Sequence, residues 1–119
     1  MDKFSRINNV TGWLCGAVAL TVYMLTLQPS VSFWDCGEFI ATAFNIQVGH
    51  QPGAPLFMMI GKLFTLAAGG PAEVAVRMNT LSALASALTV VFLFWTITAL
   101  ARKLLNAGGT LSARQTVLV

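Results

Sequence analysis

The hydrophobic positions of this chain fall into two long runs separated by a mixed segment. The first run, Val10 to Leu27, follows a polar start that contains Lys3 and Arg6, and it is ended by Gln28-Pro29. These 18 residues would form about 27 Å of helix, close to the roughly 30 Å hydrocarbon core of a bilayer. We therefore predict a transmembrane helix at residues 10–27, with residues 1–9 on the cytoplasmic side.

A secretory signal peptide is the competing interpretation of this first run. A basic start precedes the apolar residues, and Ser30-Val31-Ser32 would serve as a small-residue cleavage site. The run is longer than the apolar region of an ordinary signal peptide, and more membrane-like sequence follows it. The pattern therefore favours a retained span over a cleaved signal.

The second run, Met78 to Ala101, contains 24 uncharged residues and is closed by Arg102 and Lys103. It is long enough for a second transmembrane helix, which we predict at residues 78–101. Basic side chains at the end of a span favour the cytoplasmic side of a membrane. Residues 102–119 are accordingly predicted to be a cytoplasmic tail, which we expect to be truncated.

The segment between the two runs, residues 28–77, is predicted to be an outer loop with two short helices near the membrane surface. In the first of them, at about residues 36–48, apolar residues recur at helical spacing and form one face: Phe39, Ile40, Ala43 and Phe44. An amphipathic helix of this kind lies flat at a bilayer interface.

The second short helix, at about residues 55–68, decides the number of spans. It has 14 residues, about 21 Å of helix, with Lys62 in its middle and Gly69-Gly70-Pro71 after it. Apolar runs of this length are more often re-entrant or interfacial than spanning. A non-spanning helix also leaves both basic clusters on the cytoplasmic side, so we favour two spans, with three as the alternative.

The composition is that of a membrane protein. Hydrophobic residues make up 56% of the 119 positions and charged residues 9%, against roughly 25% charged residues in soluble domains. The net charge of +3 comes from scattered basic residues, which indicates the positive-inside pattern rather than a nucleic-acid surface. Cys15 lies inside the first run and Cys36 beyond it, so a spanning helix would hold them too far apart for a disulfide.

Asp35 and Glu38 carry the most informative chemistry of the chain. No charged side chain occurs from Ile7 to Trp34, and then two carboxylates follow three residues apart. Ionisable groups beside a span are costly unless they are solvated, paired or functional. One interpretation is structural, with Asp35 as the N-cap and Glu38 at N3 in a capping pair. The other is catalytic, with a carboxylate that accepts a proton from a hydroxyl nucleophile at the membrane surface.

His50 and two basic residues complete the candidate site. A lone histidine in a turn is most often a polar loop residue, but with two carboxylates upstream His50 could bind phosphate as a cation. Arg77 and Lys62 would ordinarily anchor helices at the interface, although either could neutralise a lipid phosphate, and we favour Arg77. The Asp/Glu/His set lacks a fourth ligand and a diagnostic spacing, so we expect neither a metal nor another cofactor.

Three stretches of the chain resemble the N-terminal region of a large bacterial membrane family, catalogued as a domain of unknown function. The stretches are Val31 to Ile40 with Asp35-Cys36-Gly37-Glu38, Val48 to Phe57 with His50-Gln51-Pro52-Gly53, and Asn79 to Leu84. That family is similar to protein O-mannosyltransferases of the GT-C superfamily. The second stretch departs from the histidine-proline-proline-glycine of the family, because Gln51 replaces the first proline.

The resemblance implies an all-α integral membrane protein with GT-C-like N-terminal helices. The expected activity is inverting transfer of a sugar such as mannose from a polyprenyl-phosphate donor to a hydroxyl of a protein or glycan acceptor. The resemblance places this reaction on the periplasmic face of a bacterial inner membrane. It assigns the general base to Asp35, with Glu38 as second choice. If the chain is such a transferase, we expect His50 and Arg77 to hold the phosphate. Family members are far longer, so we expect an N-terminal fragment that is inactive alone.

Two other functions remain open from the sequence. In the first, the chain is a small membrane subunit or transporter fragment in which Asp35, Glu38 and His50 line a proton or ion path. Transporter acids usually lie at mid-membrane depth on spans, whereas these follow an apolar run. In the second, the chain is a two-span protein whose acids only cap a helix.

Overall fold

The structure of the protein is a computed structural model that describes residues 3–107. The described residues form four α-helices and no β-strand, which confirms the all-α part of the predicted fold class. The helices are α1 Lys3–Leu25, α2 Cys36–Asn45, α3 Pro55–Thr65 and α4 Pro71–Ala107. Most of the predicted tail, at residues 108–119, lies outside the described part of the chain.

Helix α4 is the one helix within residues 3–107 whose length and composition suit a membrane crossing. Its range Pro71–Leu105 has 35 residues and contains an 18-residue stretch with a mean hydropathy of 2.1. It starts at Pro71, before the predicted residue 78, because proline fits the first turn of a helix. In addition, the Glu73 carboxylate accepts a hydrogen bond at 3.1 Å from the backbone N–H of Gly69 and so stabilises this start. Arg77 therefore lies on α4 and not in the loop before it.

The first predicted span, which corresponds to α1, stays a prediction. Helix α1 starts at Lys3 and ends at Leu25, so its first turns carry charged and amide side chains and it stops short of residue 27. The alternative third span would lie on α3, which has 11 residues and reaches about 16 Å. That is roughly half of the hydrocarbon core, so the length of α3 supports the non-spanning interpretation of this segment.

The chain divides into two compact units. The first, residues 23–85, is called the loop unit here and contains α2 and α3. Its buried apolar core consists of Ile40, Ala43, Met58, Val74, Ala75 and Met78. The predicted apolar face of α2 contributes Ile40 and Ala43 to this core, whereas Phe44 remains 39% exposed. Burial of this face positions the start of α2, where the candidate acids lie.

The second unit, called the helix-pair unit here, comprises the described residues 3–22 and 86–107. Gly12 and Gly16 of α1 are buried where α1 meets α4. A Cβ atom at Gly16 would lie 2.3 Å from Cγ2 of Val91, so only glycine permits this approach. The Trp13 and Trp95 rings meet edge to face at 5.6 Å. Small residues at such an interface let two helices pack closely in lipid.

Candidate functional site

Asp35 lies at the N-cap position of α2 but does not cap the helix. Its backbone is helical, with φ −74° and ψ −2°, and its side chain makes no hydrogen bond to the first turn. Capping requires an extended N-cap residue whose oxygen meets the N2 or N3 amide. The predicted capping pair is therefore wrong, and its geometric reason is the helical backbone of Asp35. The residue before it, Trp34, has a φ of 69°, a strained value for a bulky side chain.

Glu38 binds His50 instead of the helix start. Its Oε1 accepts the backbone N–H of His50 at 2.7 Å, and its Oε2 lies 2.7 Å from the imidazole Nδ1. Gly49 allows this approach, since a Cβ atom there would lie 3.2 Å from Oε1. Both carboxylate oxygens thus hold one residue, which fixes the imidazole ring in position and in orientation.

The Glu38–His50 pair shifts the ionisation of both groups in opposite directions. The backbone N–H of His50, followed by its ring, lowers the pKa of Glu38 below the usual 4.5. The hydrogen bond to Glu38 is the main cause that raises the pKa of His50 above 6.5, and the charges of Glu38 and Asp35 add to it. The pair therefore favours a carboxylate and an imidazolium, although both side chains are about half exposed and solvent screens them.

Asp35 completes a line of three ionisable groups. Its Oδ2 lies 3.8 Å from Nε2 of His50, beyond hydrogen-bond distance, and its side chain is 54% exposed. Among residues 3–107, this contact is the one polar interaction of the Asp35 carboxylate. Asp35 is thus the carboxylate that remains available to a substrate, whereas Glu38 is occupied. Asp35, His50 and Glu38 are called the acid–histidine cluster below.

A mostly apolar groove of about 310 Å³ adjoins the acid–histidine cluster. It is lined by Cys36, Phe39, Ile40, Phe57, Met78, Asn79 and Ser82. Phe39 separates the groove from the cluster, because its ring packs edge to face against His50 at 6.1 Å and against Phe57 at 5.8 Å. The ionisable groups of the cluster and the apolar groove therefore lie on either side of the Phe39 ring.

Asn79 is a positioning residue that the sequence pattern did not identify. Its side-chain amide donates hydrogen bonds to the carbonyl of Gln28 at 2.8 Å and to that of Ser30 at 3.1 Å. These bonds hold the segment that leads to Asp35 against the first turns of α4. The sequence could have indicated this role, because Asn79 is an amide near the start of an otherwise apolar run. A polar side chain in such a place usually has a hydrogen-bond partner.

The structure does not place the two predicted basic residues in the cluster. In the described part of the chain, Arg77 forms an ion pair with Glu73, with Nη2 and Oε2 3.4 Å apart. Its Nε is buried without a hydrogen-bond partner. Lys62 donates to the carbonyl of Phe44 at 2.5 Å and lies 4.9 Å from the centre of that ring. Lys62 thus satisfies a carbonyl in the last turn of α2 and ties α3 to α2.

Within residues 3–107, no group of three His, Cys, Asp or Glu side chains is arranged to hold a metal ion. The cluster instead consists of one carboxylate that fixes an imidazole and one that faces solvent. Such an arrangement can accept a proton from a bound hydroxyl and can hold a polar substrate by hydrogen bonds.

A family model and two curated relatives that match this chain all carry the name of the same protein family. Residues 35–119, which include the whole cluster, match the family model described as the protein O-mannosyl-transferase TMEM260 N-terminal domain. The mouse protein named Protein O-mannosyl-transferase TMEM260 is 38% identical over 109 residues, which cover 87% of this chain and 15% of that protein. The Dictyostelium discoideum protein of the same name is 32% identical over 77 residues, covering 64% of this chain and 9% of that protein. No solved structure matches the chain.

These matches confirm the predicted relation to protein O-mannosyltransferases. The chain spans less than a sixth of the length of these two curated relatives. Both of them are eukaryotic, so the bacterial family and the bacterial inner membrane stay predictions.

Proposed function

The chain belongs to the family of the protein O-mannosyl-transferase TMEM260 N-terminal domain, and we propose that it forms the acceptor-activating part of a membrane glycosyltransferase. The proposed reaction transfers a sugar, mannose by the names of the relatives, from a polyprenyl-phosphate donor to an acceptor hydroxyl. It takes place at the non-cytoplasmic surface of the membrane. The observation that carries this proposal is the Asp35 carboxylate, half exposed beside an imidazole that Glu38 holds in place.

Asp35 is the proposed general base. In the transfer step the acceptor oxygen forms a bond to the anomeric carbon of the sugar while the bond from that carbon to the phosphate oxygen breaks. The hydroxyl proton moves to Asp35, and the polyprenyl phosphate leaves with the bonding electron pair. Attack opposite to the leaving group inverts the anomeric carbon. A base in this position must be free to meet the hydroxyl, which Asp35 is and Glu38 is not.

His50 and Glu38 are proposed as positioning residues for Asp35. Glu38 fixes the imidazole through two short contacts, and the imidazole Nε2 faces the Asp35 carboxylate at 3.8 Å. A small movement of either side chain would close this gap to a hydrogen bond. The imidazolium would then hold one carboxylate oxygen and leave the other for the acceptor.

The phosphate of the donor requires positive charge that the cluster does not supply. With His50 protonated, the cluster still carries two carboxylates against one imidazolium. Of the two residues predicted to bind phosphate, Arg77 is therefore the better candidate. Its side chain is 43% exposed, and its Nη2 lies 3.4 Å from Oε2 of Glu73, a long contact that a phosphate could replace. Arginine binds phosphate well because its donors match two phosphate oxygens at once.

The groove beside Phe39 is the proposed place for the first isoprene units of the donor. Phe39, Ile40, Phe57 and Met78 give it apolar walls, and Cys36 at its edge follows Asp35 directly in the chain. A lipid-linked sugar lying there would present its head group near Asp35 while its hydrocarbon chain stays out of water.

The test is sugar transfer in membranes from cells that express the chain within a protein of the relatives' full length, because this chain covers 15% of the mouse relative. Asp35→Asn should reduce transfer from a polyprenyl-phosphate sugar to an acceptor by about 100-fold or more, the usual contribution of a general base. Asp2→Asn removes the same charge outside the cluster and should leave the rate within about twofold of wild type. Transfer by folded, membrane-inserted Asp35→Asn at a rate within tenfold of wild type would contradict the assignment.

A further inference from the structure

A polar cavity of about 420 Å³ lies at the end of the helix-pair unit, and none of its lining residues belongs to the acid–histidine cluster. It is lined by side chains of the first turns of α1 and the last turns of α4, among them Phe4, Ser5, Asn8, Thr98, Arg102 and Lys103. The proposed transfer reaction uses none of these residues. The cavity combines two cationic groups with a neutral hydroxyl and an amide that can donate hydrogen bonds.

The Arg102 guanidinium is held in place by an aromatic ring. Its central carbon lies 4.7 Å from the centre of the Phe4 ring, a cation–π contact between α1 and α4. Such a contact fixes a long flexible side chain before a ligand arrives, so less conformational entropy is lost on binding. Thr98 cannot contribute a free donor, because its hydroxyl already donates to the carbonyl of Trp95 at 3.1 Å.

This end of the unit carries a surplus of positive charge. Residues 1–9 and 102–107 contain the basic residues Lys3, Arg6, Arg102 and Lys103 and one acid, Asp2, which leaves three positive charges in excess. Asp2 lies outside the described residues. A cavity with this balance attracts anions and discourages cations.

The position of the cavity along α4 matches the depth of lipid phosphates. The uncharged run from Met78 to Ala101 spans about 36 Å of helix, slightly more than the roughly 30 Å hydrocarbon core. Arg102 and Lys103 come directly after it and are exposed. In a membrane-spanning α4 these two side chains reach the head-group layer, where basic pockets between helices bind anionic lipids.

We propose that this cavity binds the head-group phosphate of an anionic membrane lipid. Arg102 donates two hydrogen bonds to the phosphate, Lys103 contributes a second positive charge, and Ser5 and Asn8 donate from α1. A lipid held in this way joins the first turns of α1 to the last turns of α4. The proposal commits to a lipid and not to a soluble phosphate compound, because the cavity follows an apolar helix that places it at the membrane surface.

The test counts lipids bound to the purified detergent-solubilised protein by native mass spectrometry. Dioleoyl phosphatidylglycerol should bind with at least tenfold higher affinity than dioleoyl phosphatidylcholine, whose chains are identical. Arg102→Gln should weaken the binding of phosphatidylglycerol about tenfold, as expected from the loss of charged hydrogen bonds. Arg102→Lys keeps the charge without the paired donors. Its affinity for phosphatidylglycerol should lie between those of the wild type and of Arg102→Gln.

Arg6→Gln is the matched control, because Arg6 lies at the same end of α1 and does not line the cavity. It should change the affinity less than about twofold, since a surface charge contributes little by itself. Equal losses of phosphatidylglycerol affinity in Arg6→Gln and Arg102→Gln would mean that the lipid is attracted by the overall positive charge. That result would overturn the proposed site. Equal affinity for glycerol 3-phosphate and for the lipid would overturn the lipid assignment. Should Arg102→Gln fail to fold, Lys103→Gln must show the same selective loss.

Discussion

Glu38 and Asp35 stand three residues apart, yet their surroundings give them different tasks. Glu38 binds His50 through both carboxylate oxygens, whereas Asp35 is half exposed and its Oδ2 lies 3.8 Å from the other ring nitrogen of His50. A carboxylate with two short hydrogen bonds is a weak base, and one without them is free to accept a proton. The structure thus separates a carboxylate that holds the site from one that can act in it.

Removal of the Glu38 charge should change the ionisation of His50. Glu38→Gln deletes the main cause that raises the pKa of His50, so this pKa should fall. The measurement is an NMR titration of the imidazole in detergent micelles, simplified because His50 is the single histidine of the chain. Asp35→Asn should lower it less, because the charge of Asp35 is the weakest cause. A larger shift in Asp35→Asn than in Glu38→Gln would contradict the pairing.

The stability that the Glu38–His50 pair contributes should depend on pH in both directions. The pKa of Glu38 is lowered in the folded protein, so its share is present above the usual 4.5 and is lost as pH falls through the lowered value. The pKa of His50 is raised, so its share is present below 6.5 and is lost as pH rises through the raised value.

The stabilisation by this pair should therefore be largest within a limited pH range, which thermal unfolding at several pH values can measure. The difference in Tm between wild type and His50→Gln should be largest between pH 4.5 and 6.5 and should shrink on either side. Lys62→Gln serves as a control, since the Lys62 ammonium binds the carbonyl of Phe44 and is not part of the Glu38–His50 pair. A Tm difference that keeps growing above pH 8 would show that the imidazole is not the protonated partner.

At the scale of elements, α4 holds the loop segment that leads to the site. Asn79 forms its two hydrogen bonds to the carbonyls of Gln28 and Ser30, so the first turns of α4 fix the approach to Asp35. The Lys62 ammonium joins α3 to the last turn of α2 in a comparable way. The acid–histidine cluster thus depends on polar ties between elements as well as on the apolar core under α2.

Loss of the Asn79 amide should loosen residues 26–34. Asn79→Leu keeps a side chain of similar size and removes both donors, so hydrogen exchange in this segment should become about tenfold faster. Ser82→Ala is the control, because the Ser82 hydroxyl donates a hydrogen bond within α4, to the carbonyl of Met78. Mass spectrometry of proteolytic fragments reads out the exchange. Unchanged exchange at residues 26–34 in Asn79→Leu would show that these bonds do not hold the segment.

Hydrophobic spacing predicted the presence of α2 and α3 but not where they end. Helix α2 was predicted to residue 48 and stops at Asn45, because Ile46 adopts the left-handed conformation and its N–H returns to the carbonyl of Thr42. A left-handed backbone conformation is rare for isoleucine and results from tertiary packing, so it cannot be predicted from the residue type. Helix α3 likewise ends at Thr65, before the predicted residue 68.

The site was predictable as a set of residues and not as a geometry. Asp35, Glu38 and His50 could be selected because they are the polar groups nearest the end of an apolar run. Their pairing could not, since it depends on how the chain returns from α2 to bring His50 onto Glu38. The spacing of the two acids even indicated a capping pair, which the backbone of Asp35 does not form.

On the scale of the whole molecule, α4 and the family indicate that the chain is associated with a membrane. Helix α4 has the length and apolar character for a crossing. The relatives are named as protein O-mannosyl-transferases, and the match includes the acid–histidine cluster. Asp35 can act on a lipid-linked sugar only if it lies at the surface where that donor is presented. The side of the membrane on which Asp35 lies is therefore decisive for the proposed transfer.

Cys36 offers a direct report of this position, because it is exposed, free and adjacent to Asp35. In intact cells that express the protein with Cys15→Ser, a membrane-impermeant maleimide should label Cys36 from outside the bilayer. A polyprenyl-phosphate sugar should slow this labelling, since Cys36 lines the proposed donor groove, and Cys36→Ser should abolish it. Labelling that occurs only after the membrane is permeabilised, at a rate that the donor does not change, would contradict a lipid-linked transfer site at Asp35.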